Sequence, residues 1–136
     1  MRFPLFIFNK TRKGAIALEL KIANKNYTLH FGWSFLEEVN KEFGMKVETG
    51  GQEINTRTAG LPFLTSGLES YDPIALAKGI KAAVNTEVNP PSFVNIKKYV
   101  EELIVNDTKA YQEVVKDFLT NVKNEPMLKA LQNLNK

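Results

Sequence analysis

Apolar and polar residues alternate strictly in two short runs near the start of the chain. Leu18, Leu20 and Ile22 fall on one side of an extended strand, Glu19 and Lys21 on the other. After Asn24-Lys25 the alternation resumes, with Tyr27, Leu29 and Phe31 set against Thr28 and His30. Two period-2 runs about a short polar turn predict a β-hairpin over residues 16–31 with one apolar face. Asn24 suits the turn, because Asn tolerates positive φ better than most residues with a side chain. A lone hairpin is marginal in water, so that face needs a packing partner. The next residues supply one. Ser34-Phe35-Leu36-Glu37 has capping-box spacing, Leu36, Val39 and Phe43 recur at helical intervals with Phe35 extending the stripe, and Gly44 follows as a C′ residue would. A helix over about residues 34–43, packed on the hairpin, is expected.

Beyond Gly44 the period disappears for a while. Residues 45–71 hold Gly50-Gly51, Gly60, Pro62 and Gly67, and read as a loop in which Leu61, Phe63, Leu64 and Leu68 form at most one helical turn. Helical spacing then returns and persists. Asp72-Pro73 is an N-cap with Pro at the first helical position, ahead of Leu76, Ala77, Ile80 and Val84. Ser92 caps a strongly amphipathic stretch carrying Phe93, Ile96, Val100, Leu103 and Ile104. Asn106-Asp107 opens another with Tyr111, Val114, Val115, Phe118, Leu119 and Val122, and a last helix from about Glu125 carries Leu128, Leu131 and Leu134. The fold class is α+β: an N-terminal β-hairpin packed on a helix, then a mainly helical body of about four helices. Residues 1–15 read as a flexible N-terminal extension and residues 16–136 as a single domain.

Composition narrows the chemistry. A chain of 136 residues with 43% hydrophobic content buries a core without staples. It has no Cys and a single His, which excludes disulfides, thiolate zinc sites, cysteine nucleophiles and two-His metal motifs. The formal charge of +3 is unevenly placed: six of the 18 bases but one of the 15 acids fall in the first 30 residues, so the remainder is mildly acidic. That describes a basic arm rather than a basic domain. Phe3 to Phe8 beside Arg2, Lys10, Arg12 and Lys13 faintly suggests a signal peptide, but the apolar run is short and the cleavage context poor. No apolar stretch is long enough to span a membrane, and the arm alone is too small to hold one.

Candidate chemistry is sparse. His30 is either a general base or a solvated strand residue, and with no partner identifiable the second is the simpler reading. Glu37-Glu38 and Glu101-Glu102 are adjacent pairs about 100° apart on a helix, too divergent to share a proton or a metal. The glycines fit no phosphate-binding motif. No catalytic, cofactor-binding or metal-ligating residues are expected, and the chain reads as a non-enzyme. The helices at about 92–105 and 107–122 are spaced like a helix-turn-helix, yet Lys109 and Lys116 are balanced by Glu113 and Asp117, which gives a recognition helix no positive face.

The segment from Leu18 to Gly44 resembles the start of the tail assembly chaperones of long-tailed (siphovirus-type) phages and prophages of Gram-positive bacteria. The resemblance rests on Tyr27-Thr28-Leu29-His30-Phe31-Gly32 and on Phe35-Leu36-Glu37-Glu38-Val39-Asn40-Lys41 closed by Gly44. The Gly-Leu-rich stretch at 60–68 and the Asp72-Pro73 helix start continue the likeness to about residue 122, whereas relatives begin closer to the first strand. The resemblance implies a non-catalytic protein of the host bacterial cytoplasm, absent from the finished virion. It implies binding and solubilising of the tape measure protein, recruitment of tail tube protein, a longer frameshifted form of the same chain, and self-association, with no nucleic acid or membrane partner. Tyr27, Leu29, Phe31, Gly32, Phe35, Leu36, Val39 and Gly44 are the motif positions, with structural or partner-contact roles. The alternative reading is a small phage-borne DNA-binding regulator; an enzyme fragment ranks behind both.

Overall fold

The computed structural model describes residues 6–12, 15–43, 46–49, 52–55 and 60–134. Three antiparallel strands open the chain: β1 (Phe6–Arg12), β2 (Ala15–Ile22) and β3 (Lys25–Leu29), side by side in that order. β2 and β3 are the hairpin that the alternation predicts, with Leu18 opposite Leu29 and Leu20 opposite Tyr27. Their turn places Ala23 at φ 51° and Asn24 at φ 66°, the two positive values of a hairpin turn whose twist matches the strands. β1 lies in the segment to which the pattern assigned no element. Its register shifts between Phe6, opposite Leu20, and Asn9, opposite Leu18. Three steps along β1 match two along β2, so strict alternation breaks inside the strand.

Helix α1 (Trp33–Phe43) begins two residues earlier than a cap at Ser34 implies. The Leu36 amide donates to the Gly32 carbonyl at 3.1 Å, which leaves Ser34 inside the first turn rather than at the cap. Gly44, expected to end this helix, lies outside the described residues. The stretch read as a loop contains a second hairpin, β4 (Lys46–Thr49) with β5 (Gln52–Asn55), and a full helix, α2 (Gly60–Glu69). Gly60 and Gly67, two of the glycines that signalled a loop, serve close packing instead. A Cβ at Gly60 would sit 2.6 Å from the Asn40 Cα on α1, and one at Gly67 would sit 2.6 Å from the Ala75 Cβ. α2 ends with Tyr71 at φ 58° and the Asp72 amide donating to the Gly67 carbonyl, a left-handed cap of the kind glycine usually fills.

The remaining helices start where their caps predict. Asp72 accepts from the Ile74 amide at 2.9 Å to open α3 (Pro73–Ala83), and Ser92 from the Asn95 amide at 3.1 Å to open α4 (Phe93–Asn106). Asp107 accepts from the Ala110 amide at 3.0 Å to open α5 (Thr108–Asn124). Glu125 accepts from the Leu128 amide at 2.9 Å at the head of α6 (Pro126–Leu134). The described residues therefore hold six helices, α2 being the one the pattern missed.

The core sits between the sheet and the helices. Leu18, Leu20, Ile22, Tyr27 and Leu29 are buried on one sheet face, which lies on α5 and α4. Phe31 ties that face to α1 and α5 at once: its ring meets Phe35 and Phe118 edge-on, each at 5.1 Å between centroids. Two buried phenols brace the helices. Burial holds the Tyr99 hydroxyl above its ordinary range; at Tyr111 burial does so first and the Asp72 charge adds to it. Tyr111 also donates to the Tyr71 carbonyl at 2.7 Å, joining α5 to the α2–α3 turn. Phenols whose pKa is raised on folding lose their proton first in the unfolded chain, so their stabilisation is complete below pH about 10 and is lost as the pH rises above it. Urea midpoints measured from pH 8 to 11 should be level at first and fall above about pH 10. Tyr111→Phe should blunt that fall.

Candidate functional site

The motif positions are mostly interior. Tyr27, Leu29, Phe31, Phe35 and Val39 are buried, and Leu36 is half-buried against the same core. Gly32 is half-buried, with open space where a Cβ would be. These residues build the corner where sheet, α1 and α5 meet, and they gather no reactive groups.

His30 does have a partner, one that sequence distance concealed. Its Nε2 lies 2.9 Å from Glu87 Oε2, and the other Glu87 oxygen accepts from the Thr28 amide at 3.3 Å. The His30 amide donates to the Ala83 carbonyl at 2.8 Å. The end of α3 and the connection after it thus lie beside the outer edge of β3. The His30 side chain is 48% exposed, and an exposed pair of this kind contributes about 0–1 kcal/mol. His30→Ala should therefore shift the unfolding free energy by no more than about 0.5–1 kcal/mol, measured by urea titration near pH 7. No group of three His, Cys, Asp or Glu among the described residues is placed to hold a metal ion. No described helix is long and apolar enough to cross a membrane.

The surface feature that stands out lies elsewhere. Helices α3 and α4 run antiparallel, and a groove of about 360 Å³ opens between them. Ile74 and Ala77 of α3 line it together with Phe93, Val100, Ile104 and Val105 of α4. Burial differs sharply along that wall. Ala77 and Val100 form a closed floor, whereas Ile74 is 63% exposed and Val105 is 75% exposed. Lys78, Lys97 and Glu101 stand at the rim. The hydrophobic effect disfavours leaving large aliphatic side chains side by side in water, and contiguous apolar patches on a folded chain mark contact surfaces. The sequence did carry a trace of this. Ile74 and Val105 are apolar residues off the buried stripes of their helices, a pattern that searches for the core pass over.

The family model for phage tail assembly chaperone protein, TAC, matches residues 19–134. That span reaches from β2 to the end of α6, and the chain belongs to the phage tail assembly chaperone family. Membership implies a non-enzymatic role in building phage tails. Neither the curated proteins nor the solved structures include a match.

Proposed function

We propose that this protein binds the tape measure protein of its phage, keeps it soluble in the host bacterial cytoplasm and helps recruit tail tube subunits before leaving the growing tail. Family membership supports the setting. The observation that carries the binding role is the open groove between α3 and α4, with Ile74 and Val105 largely exposed at its upper wall. A groove of this form takes the apolar face of an amphipathic helix, and a long helical partner presents that face many times over. Self-association and a longer frameshifted form of the chain belong to the same reading, because several copies are needed to cover such a partner.

Co-expression with the tape measure protein tests it. That protein should move from inclusion bodies to the soluble fraction and co-purify with several copies of the chaperone. The complex should survive moderate salt, since apolar contact is not screened, whereas a complex resting on phosphate contacts weakens by orders of magnitude between low and physiological salt. Retention of duplex DNA with a steep salt slope and no effect on the tape measure would put the regulator reading in its place.

A further inference from the structure

Two ammonium groups stand at the groove with a single acid, Glu101, near them. Elsewhere on the surface lysines meet carboxylates: Lys41 pairs with Glu38 at 3.3 Å, Lys81 with Glu42 at 2.6 Å and Lys123 with Glu69 at 3.0 Å. Lys78 and Lys97 rest over aromatic rings, as Lys81 also does at 5.4 Å from the centre of Phe93. The Lys78 Nζ is 5.5 Å from the centre of Phe43, and the Lys97 Nζ is 5.1 Å from the centre of Phe93. Neither forms an ion pair among the described residues. Both stand on the groove, one from each wall, with Glu101 as the single acid beside them. The Phe93 face holds Lys97 beside the apolar floor, where a carboxylate arriving with a partner meets charge already positioned, and Lys78 stands on the opposite wall with its ammonium over Phe43.

The dimensions fix what arrives. From Phe93 to Val105 the α4 wall runs about 18 Å along its axis, a little over three turns. A volume of 360 Å³ has room for side chains from one face of a helix but not for the helix itself. Anchors at i, i+4, i+7 and i+11 of a helix laid along the groove match that length. Among the chain's own helices, α2 exposes Phe63 as its one large apolar side chain. α6 exposes Leu134 but carries Lys129 and no carboxylate, and α1 exposes Trp33 as its one large apolar side chain.

We propose that the α3–α4 groove receives an amphipathic helix of the tape measure protein whose apolar stripe is flanked by acidic residues, and that Lys78 and Lys97 select for that acidic flank. The inference rests on the chaperone reading for the identity of the partner. Apolar contact supplies most of the affinity. The two cations supply register and choice among helices, since charge at an interface rim acts on specificity and encounter more than on strength.

Two designed 21-residue helical peptides test it against the full chain by fluorescence anisotropy. Both carry the same leucine stripe; one has Glu and the other Lys on its flanks. The Glu peptide should bind at least about tenfold more tightly at low salt, a difference of about 1.4 kcal/mol. The double variant Lys78→Glu with Lys97→Glu should reverse that preference, with its thermal midpoint measured alongside to establish that it folds. Equal affinity for the two peptides, or a preference unchanged in the folded double variant, would overturn the proposal. Co-expression separates this from the chaperone reading. If the parent chain solubilises the tape measure but does not distinguish the peptides, the groove assignment fails and the function stands. If the peptides are distinguished and reversed as expected but the tape measure stays insoluble, the acidic-helix groove stands and the identity of its partner falls.

Discussion

Phe118→Ala should lower the free energy of unfolding by about 3–5 kcal/mol, the largest loss expected from any single truncation in this chain. Phe118 is fully buried and its ring is the third member of the cluster with Phe31 and Phe35. It also lies directly under α3: a Cβ on Gly79 would come within 2.9 Å of its ring. The one side chain therefore joins the sheet, α1, α3 and α5, and no neighbour can refill its volume without moving a backbone element. Against a total stability of about 5–15 kcal/mol for a domain, the variant should sit near its limit at 37 °C. Urea unfolding followed by circular dichroism checks the loss through a lowered midpoint. A loss under about 1 kcal/mol would mean that the cluster relaxes around the gap, contrary to the close packing described here.

The second large effect is on function with stability kept. Ile74→Glu combined with Val105→Glu places two carboxylates on the exposed wall of the groove. Because both side chains are mostly in water already, the folded monomer should melt within a few degrees of the parent. A docked apolar helix would have to bury those charges, a cost of the size that marks interface hot spots, at least about 2 kcal/mol each. The tape measure protein should return to the insoluble fraction when co-expressed with this variant. Undiminished rescue by a folded double variant would move the contact surface away from α3 and α4.

What the sequence disclosed and what it withheld follow from the range of the interactions concerned. The β2–β3 hairpin, the Asp72, Ser92 and Asp107 caps and the buried stripes of α3 to α5 depend on neighbours a few residues apart, and each was legible. β1 was hidden by its register shift, which no local period detects. α2 was hidden by glycines whose reason is the proximity of Asn40 and Ala75, contacts that exist only after folding. The partner of His30 lies 57 residues away on a connection without periodic pattern. The groove was least legible of all. A buried stripe consists of residues that turn inward, whereas Ile74 and Val105 matter because they do not.

The Glu87 carboxylate has a consequence beyond the histidine it meets. With Glu87 accepting from the Thr28 amide and Ala83 from the amide of His30, the end of α3 and the connection after it occupy donors that an incoming strand would otherwise use. Pairing of a further strand with this sheet is obstructed at those two positions beside β3. On the function proposed above, that obstruction guards the chain against being drawn into an aggregate of its partner.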